Sequence, residues 1–283
     1  MYIRTQRALA VGVSEPDKSI IGEIRNNNQG TPMKIIAYRT CSDIDVEFLD
    51  EYHYVKRNNT YHNFKMGQIK NPYDRALFGV GFIGDGKWKV KDENGKFSRV
   101  YLCWMHMIER CYYEKNKDLH PSYFGLATVC PEWHNFQVFA DWYKEREYEV
   151  NERLHLDKDI RHAGNMIYSP EHCLLVPQRI NELFTCKRNN YGLPVGIKKT
   201  SSGKYSARYN GKNLGTFKTL DKAFEEYATT KERVIKEVAN EYINIIPEEV
   251  YFALMNYKVL IENDKNYVAQ SPLKANSIGG IKY

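Results

Sequence analysis

The sequence predicts an α+β, multi-domain protein, and three observations carry that prediction. Residues 31–100 contain strand patterning such as "DIDVEF", where Ile44, Val46 and Phe48 alternate with Asp43, Asp45 and Glu47. From Tyr101 the apolar residues fall at helical spacing instead. After residue 190, glycines punctuate short strands ahead of one long amphipathic helix. At 283 residues, 42% hydrophobic and 27% charged, the chain is long enough for two or three modest globular domains.

Taken in order, residues 1–30 end in the polar, turn-prone "IRNNNQG" and read as an N-terminal arm. The early run "ALAVGV" is too short for a signal peptide, and no stretch reaches the length of a membrane span. A cytoplasmic protein with no membrane partner is expected. Residues 31–100 form a small β-rich module, from "MKIIAY" to the turn glycines of "GVGFIGDGKWKVKDENGKF". Residues 101–190 form a core with flanking helices. There "YLCWMHMIERCYY" sets Trp104, Met107, Ile108 and Cys111 on one face, and "VCPEWHNFQVFADWYKE" repeats the pattern through Trp133, Phe136 and Trp142. Aromatics at this spacing are read as packing. Residues 191–242 hold three strands and a helix that Thr219 can cap, and residues 243–283 a C-terminal helix and tail.

Forty-one Lys and Arg against 35 Asp and Glu permit a polyanionic partner without demanding one. No obligate protein partner is evident. Six cysteines without a CxxC pair signal neither a disulfide framework nor a zinc ribbon, and Cys111, Cys130, His134 and Cys173 fit no zinc-finger spacing. Buried thiols, with no structural Zn2+, are expected.

Two stretches carry chemistry. "LHLDKDIRHAGNMIYSPEHCLLVPQRINELF", Leu154 to Phe184, reads as a strand, a Gly-Asn turn, a second strand with Pro170 at an irregularity, and a helix start presenting Asn181. Strand alternation puts His155, Asp157 and Asp159 on one face and Lys158 on the other. In "KYSARYN" Tyr205, Ala207 and Tyr209 point one way, and Lys204, Ser206 and Arg208 the other. From Tyr191 to Leu220 there are six basic residues and no acidic one. A narrow basic sheet can enter a DNA groove, although lysines also keep exposed sheet edges soluble.

The segment "GIKKTSSGKYSARYNGKNLGTFKTLDKAFEEYATTKE" resembles AP2-type DNA-binding domains over about fifty residues. The stretch from Leu154, with "WMHMIERCYY" and the aromatic run upstream, resembles phage-type HNH (ββα-metal) homing endonucleases that often carry such a domain. The resemblance extends over nearly the whole chain. It implies double-stranded DNA as partner, with Lys198, Lys204, Ser206, Arg208 and Lys212 on the docking face. It implies a divalent cation, Mg2+ or Mn2+, held by Asp157 and Asn181, with Asn165 orienting the general base. Lys158 stands where that base, a histidine, is expected, and an ammonium is a poor base at neutral pH. His155 or His162 could supply the imidazole. Lys158 could instead pin the phosphate or polarise water, or the core could survive only as a DNA clamp.

Overall fold

The computed structural model describes residues 18–119, 124–185 and 192–268. The chain is mixed α+β, with several small sheets in place of one large one. It divides into two units: one reaches to Trp88 and takes in Asn135–Gln137, and the other comprises the rest. Most of the expected arm, the boundary expected at residues 190–191 and the end of the tail lie outside the described residues.

In the first unit a four-stranded antiparallel meander runs β1 (Ile24–Asn26), β2 (Pro32–Thr40), β3 (Asp43–Phe48) and β4 (Val55–Asn59), followed by α1 (Tyr61–Lys65), capped by the Thr60 hydroxyl. The strand β1 comes from the stretch read as an arm, so the module begins earlier than expected. Its core is Met33, Ile35, Ile44, Val46, Phe48, Phe64 and Ile69. The alternation in "DIDVEF" fails at Asp45, which is buried. Arg39 Nη2 donates to it at 2.7 Å, the Asn58 amide donates at 3.1 Å, and Arg57 adds a third contact. Those partners, Arg39 foremost, hold its carboxyl below the usual range.

The second unit opens with α2 (Arg99–Tyr112), capped by Ser98, then α3 (Asn116–Leu119), β5 (Thr128–Val129) and α4 (Phe136–Arg146), whose first two residues group with the first unit. Trp104, Met107, Ile108 and Cys111 are buried as expected, and the Trp104 indole donates to the Trp133 carbonyl at 2.7 Å. Next come β6 (Leu154–Asp157), β7 (Ile167–Tyr168), β8 (Leu174–Pro177) and α5 (Gln178–Glu182). The single second strand expected from "MIYSPEHCLLVP" is therefore two. Around Pro170 the chain turns, so that β7 pairs in parallel with β5 while β8 pairs antiparallel with β6.

The last three strands, β9 (Ile197–Lys199), β10 (Tyr205–Tyr209) and β11 (Lys212–Phe217), form an antiparallel sheet ordered β11-β10-β9. The 22-residue helix α6 (Leu220–Glu241) follows, and its N-terminus is capped by the Thr219 hydroxyl. Its first turns bury Ala223, Phe224 and Tyr227 against Ile197 and Ala207 of the sheet. Its last turns bury Ile235, Val238 and Ala239 against Leu174, Val176 and Ile180 of β8 and α5, and against Val250 and Leu254 of α7 (Glu248–Met255). One helix thus serves two cores. Among the described residues no helix is long and apolar enough to cross a membrane.

Candidate functional site

The strand β6 and its loop divide the expected residues into two groups. On the strand, His155 lines a cavity of about 400 Å³ together with Asn181 of α5. Arg153, at the entrance to β6, lines it too, as do Arg99, Cys103, His106, Glu109 and Arg110 from α2. Steps of four, three and four residues place Arg99, Cys103, His106 and Arg110 along one stripe of that helix, while its apolar stripe faces the core.

Three arginines against one glutamate make the wall cationic. Arg99 and Arg153 form no ion pair among the described residues. The His155 Nε2 is buried and meets no hydrogen-bond partner there either. Burial, then the neighbouring Arg153 and Arg110, push the imidazole below its ordinary pKa, so it is neutral near pH 7 and free to accept a proton. Burial also lifts the Cys103 thiol to about 11, which keeps it protonated.

The loop after β6 is built differently. Asp157 is buried, and its Oδ1 accepts from the backbone amides of Asp159 and Ile160, both at 2.7 Å. Burial, reinforced by the Asp159 charge, raises its carboxyl to about 6. The Lys158 side chain is 2% exposed, and its ammonium donates to Asp159 Oδ1 at 2.5 Å and to the Asn165 carbonyl at 2.6 Å. The Asn165 amide donates to the Lys158 and Ile167 carbonyls and accepts from the Ile167 amide, which closes the loop across Gly164. Because β6 ends at Asp157, strand alternation stops there. All three side chains turn into their own loop, and Asp157 is not among the residues lining the cavity beside Asn181. His162 stacks edge-on with His172, ring centroids 5.2 Å apart, and does not line the cavity either. Among the described residues no three His, Cys, Asp or Glu side chains gather as a metal site.

On the C-terminal sheet, register separates the expected contact residues. Lys198 and Thr216 flank Ser206 in one cross-strand row, and Arg208 pairs with Asn213 beyond a bulge. These positions face away from α6, because Ile197 and Ala207 of the neighbouring row pack on it. Lys204, exposed, precedes the same row. Lys212 departs from expectation: it pairs with Tyr209, whose ring meets Tyr227 of α6, so its position belongs to the helix side at the hairpin end.

Of the residues expected from the sequence, His155 and Asn181 line this cavity; Arg99, His106, Glu109, Arg110 and Arg153, which line it too, were not among them. The polar stripe on α2 was visible in the spacing, but only the fold turns that stripe towards His155. The chain matches no family model, no curated protein and no solved structure.

Proposed function

We propose that this chain is a DNA-acting protein, a phage-type HNH-like endonuclease that hydrolyses phosphodiester bonds, with an AP2-like sheet holding the duplex. One observation carries the proposal: His155, whose buried Nε2 meets no hydrogen-bond partner among the described residues, lines a cavity together with three arginines and Asn181.

A phosphodiester is an anion whose charge grows on the way to the pentacoordinate transition state. Fixed guanidinium groups therefore stabilise the transition state more than the ground state. Neutral His155 accepts the proton of the attacking water, and Arg99, Arg110 and Arg153 hold the non-bridging oxygens. Asn181, lining the same cavity, orients the phosphate. A divalent cation belongs to the proposal. Asn181 and Glu109, which line the cavity with side-chain oxygens, would hold it. When bound it would neutralise charge on the leaving oxygen. Asp157 and Lys158, expected at this centre, act instead as the frame of the loop beside it.

The test is conversion of supercoiled plasmid or phage DNA to nicked or linear product in Mg2+ or Mn2+. Cleavage that is lost in His155→Ala supports the proposal. Failure of wild type to cleave in either ion sinks it. A second reading, a DNA-binding protein with an inactive core, is favoured by one observation. The residue at the expected base position, Lys158, is committed to Asp159 and Asn165. It predicts salt-sensitive duplex binding that needs no metal and no cleavage.

A further inference from the structure

Asn181, which lines the cavity, stands on a helix that has little of its own to hold it. The helix α5 has five residues, about a turn and a half, and of these Ile180 alone is buried. Its N-cap is Pro177, whose side chain caps nothing, so the first amides of α5 depend on acceptors from elsewhere. One such acceptor comes from far upstream in the chain: Glu152 Oε2 accepts from the Arg179 backbone amide at 2.8 Å.

The other oxygen of this carboxylate is engaged as well. Glu152 Oε1 accepts from the hydroxyl of Tyr242, at the C-terminal end of α6, and the Tyr242 ring belongs to the core that α6 shares with Ile180. Glu152 thus bridges α6 and the first turn of α5. The Arg179 guanidinium also reaches α6, at 2.6 Å from Glu241, but both side chains are half exposed, and an ion pair so exposed adds little.

In the chain Glu152 directly precedes Arg153, and the ladder of β6 and β8 starts just after, with Leu154 opposite Pro177. The Glu152 bond carries that pairing past the end of the strands. It ties the segment entering β6 to the helix leaving β8, the two segments that bring His155 and Asn181 to one cavity. Any carboxylate at a helix start can satisfy a free amide. Glu152 differs in that its two oxygens bind two different elements and that the helix it starts carries a cavity residue.

From this bridge, we infer that Glu152 is a positioning residue for the proposed cleavage: it fixes α5 against β6 and α6 and so sets where Asn181 stands relative to His155. Its effect on cleavage rests on the endonuclease reading above, and its effect on Asn181 rests on the bonds alone.

The charge of Glu152 also opposes the lowering of the His155 pKa, so the variants separate charge from reach. Glu152→Gln removes the charge but keeps an oxygen for the Arg179 amide and a donor for the Tyr242 oxygen. Glu152→Ala removes both bonds. In full-length protein with isotope-labelled asparagine side chains, the Asn181 amide signals are identified by their absence from Asn181→Ala. They are expected to shift in Glu152→Ala and to hold their place in Glu152→Gln, while the Arg179 backbone amide exchanges its hydrogen faster in Glu152→Ala only. In the plasmid assay kcat falls by about 10²-fold in Glu152→Ala with KM unchanged, and adding Asn181→Ala lowers it no further. Asn181 signals that stay put in Glu152→Ala overturn the inference. So does an equal shift in Glu152→Gln, or a loss of cleavage that adds in full to that of Asn181→Ala. If Glu152→Ala does not fold, Glu152→Asp, which keeps the charge on a shorter stem, carries the same readouts. The spectrum and the exchange need neither DNA nor cleavage, so a wild type that fails to cut sinks the endonuclease reading while they still decide the role of Glu152.

Discussion

His155 and the loop that follows it lie two residues apart in sequence and differ in how they use their polar atoms. Asp157, Lys158 and Asn165 spend their polar groups on one another and on nearby backbone amides and carbonyls. His155 keeps a buried nitrogen unmatched beside a cationic cavity. A buried polar group left without a partner costs roughly 1–3 kcal/mol, so a fold that retains one at a cavity wall has kept it at the expense of stability. The satisfied residues fix the backbone of the loop, and in the proposed reaction the unsatisfied nitrogen of His155 is the one that takes up a proton.

The sharpest way to break this comparison is His155→Ala. Removing a general base costs about 10²- to 10⁴-fold in rate. Plasmid cleavage should fall by that factor, while the urea midpoint stays level or rises because the unmatched nitrogen is gone. A variant that cleaves normally, or that unfolds, would put His155 with the loop residues.

The next effect is on stability and concerns Asp157. Its carboxyl binds a proton more tightly folded than unfolded, so the folded form is favoured at low pH. Stability should decline by roughly 3 kcal/mol as pH rises from about 4 to about 6, and level off above. Asp157→Asn keeps the oxygen that accepts from Asp159 and Ile160 but carries no charge. Unfolding in EDTA should show the variant more stable than wild type at pH 7 and equal to it near pH 4. Parallel curves for the two proteins would refute the assignment of Asp157 as a buried carboxyl that binds its proton more tightly in the folded state.

Lys158→Met sharpens the other half of the comparison. It removes two short hydrogen bonds and strands the Asn165 carbonyl, a loss of about 2 kcal/mol in a denaturant melt. Any fall in cleavage should be no greater than the loss of folded protein explains. The smallest effects lie on the sheet: Lys198→Ala should lower the salt slope of duplex binding by about one, and Lys212→Ala should leave it unchanged.

Much of the fold was legible because local rules determine it. Glycine spacing and cross-strand alternation marked β9 to β11, and Thr219 marked the start of α6. The apolar stripe Trp104, Met107, Ile108, Cys111 gave α2 its buried face. The rest depended on pairing across the chain. Nothing local tells Ile167 to seek Thr128 in parallel while Leu174 seeks Asp157, so the split of the second strand was out of reach. Alternation likewise extends only as far as a strand does. It placed His155 correctly within β6 but said nothing reliable about Lys158, one residue beyond its end. The arginines of α2 had the right spacing all along, and a polar helical stripe becomes a binding wall only when another element closes over it.

The continuity of α6 carries a mechanical consequence. Twenty-two residues at 1.5 Å each make a rod of about 33 Å that is clamped at one end by the three-stranded sheet and at the other by the core beside the cavity. Adding one residue at mid-rod would swing the two ends by about 100° relative to each other. The separation and the angular phase between the sheet and the cavity are therefore counted out in helical residues, as the teeth of a gear set its stride.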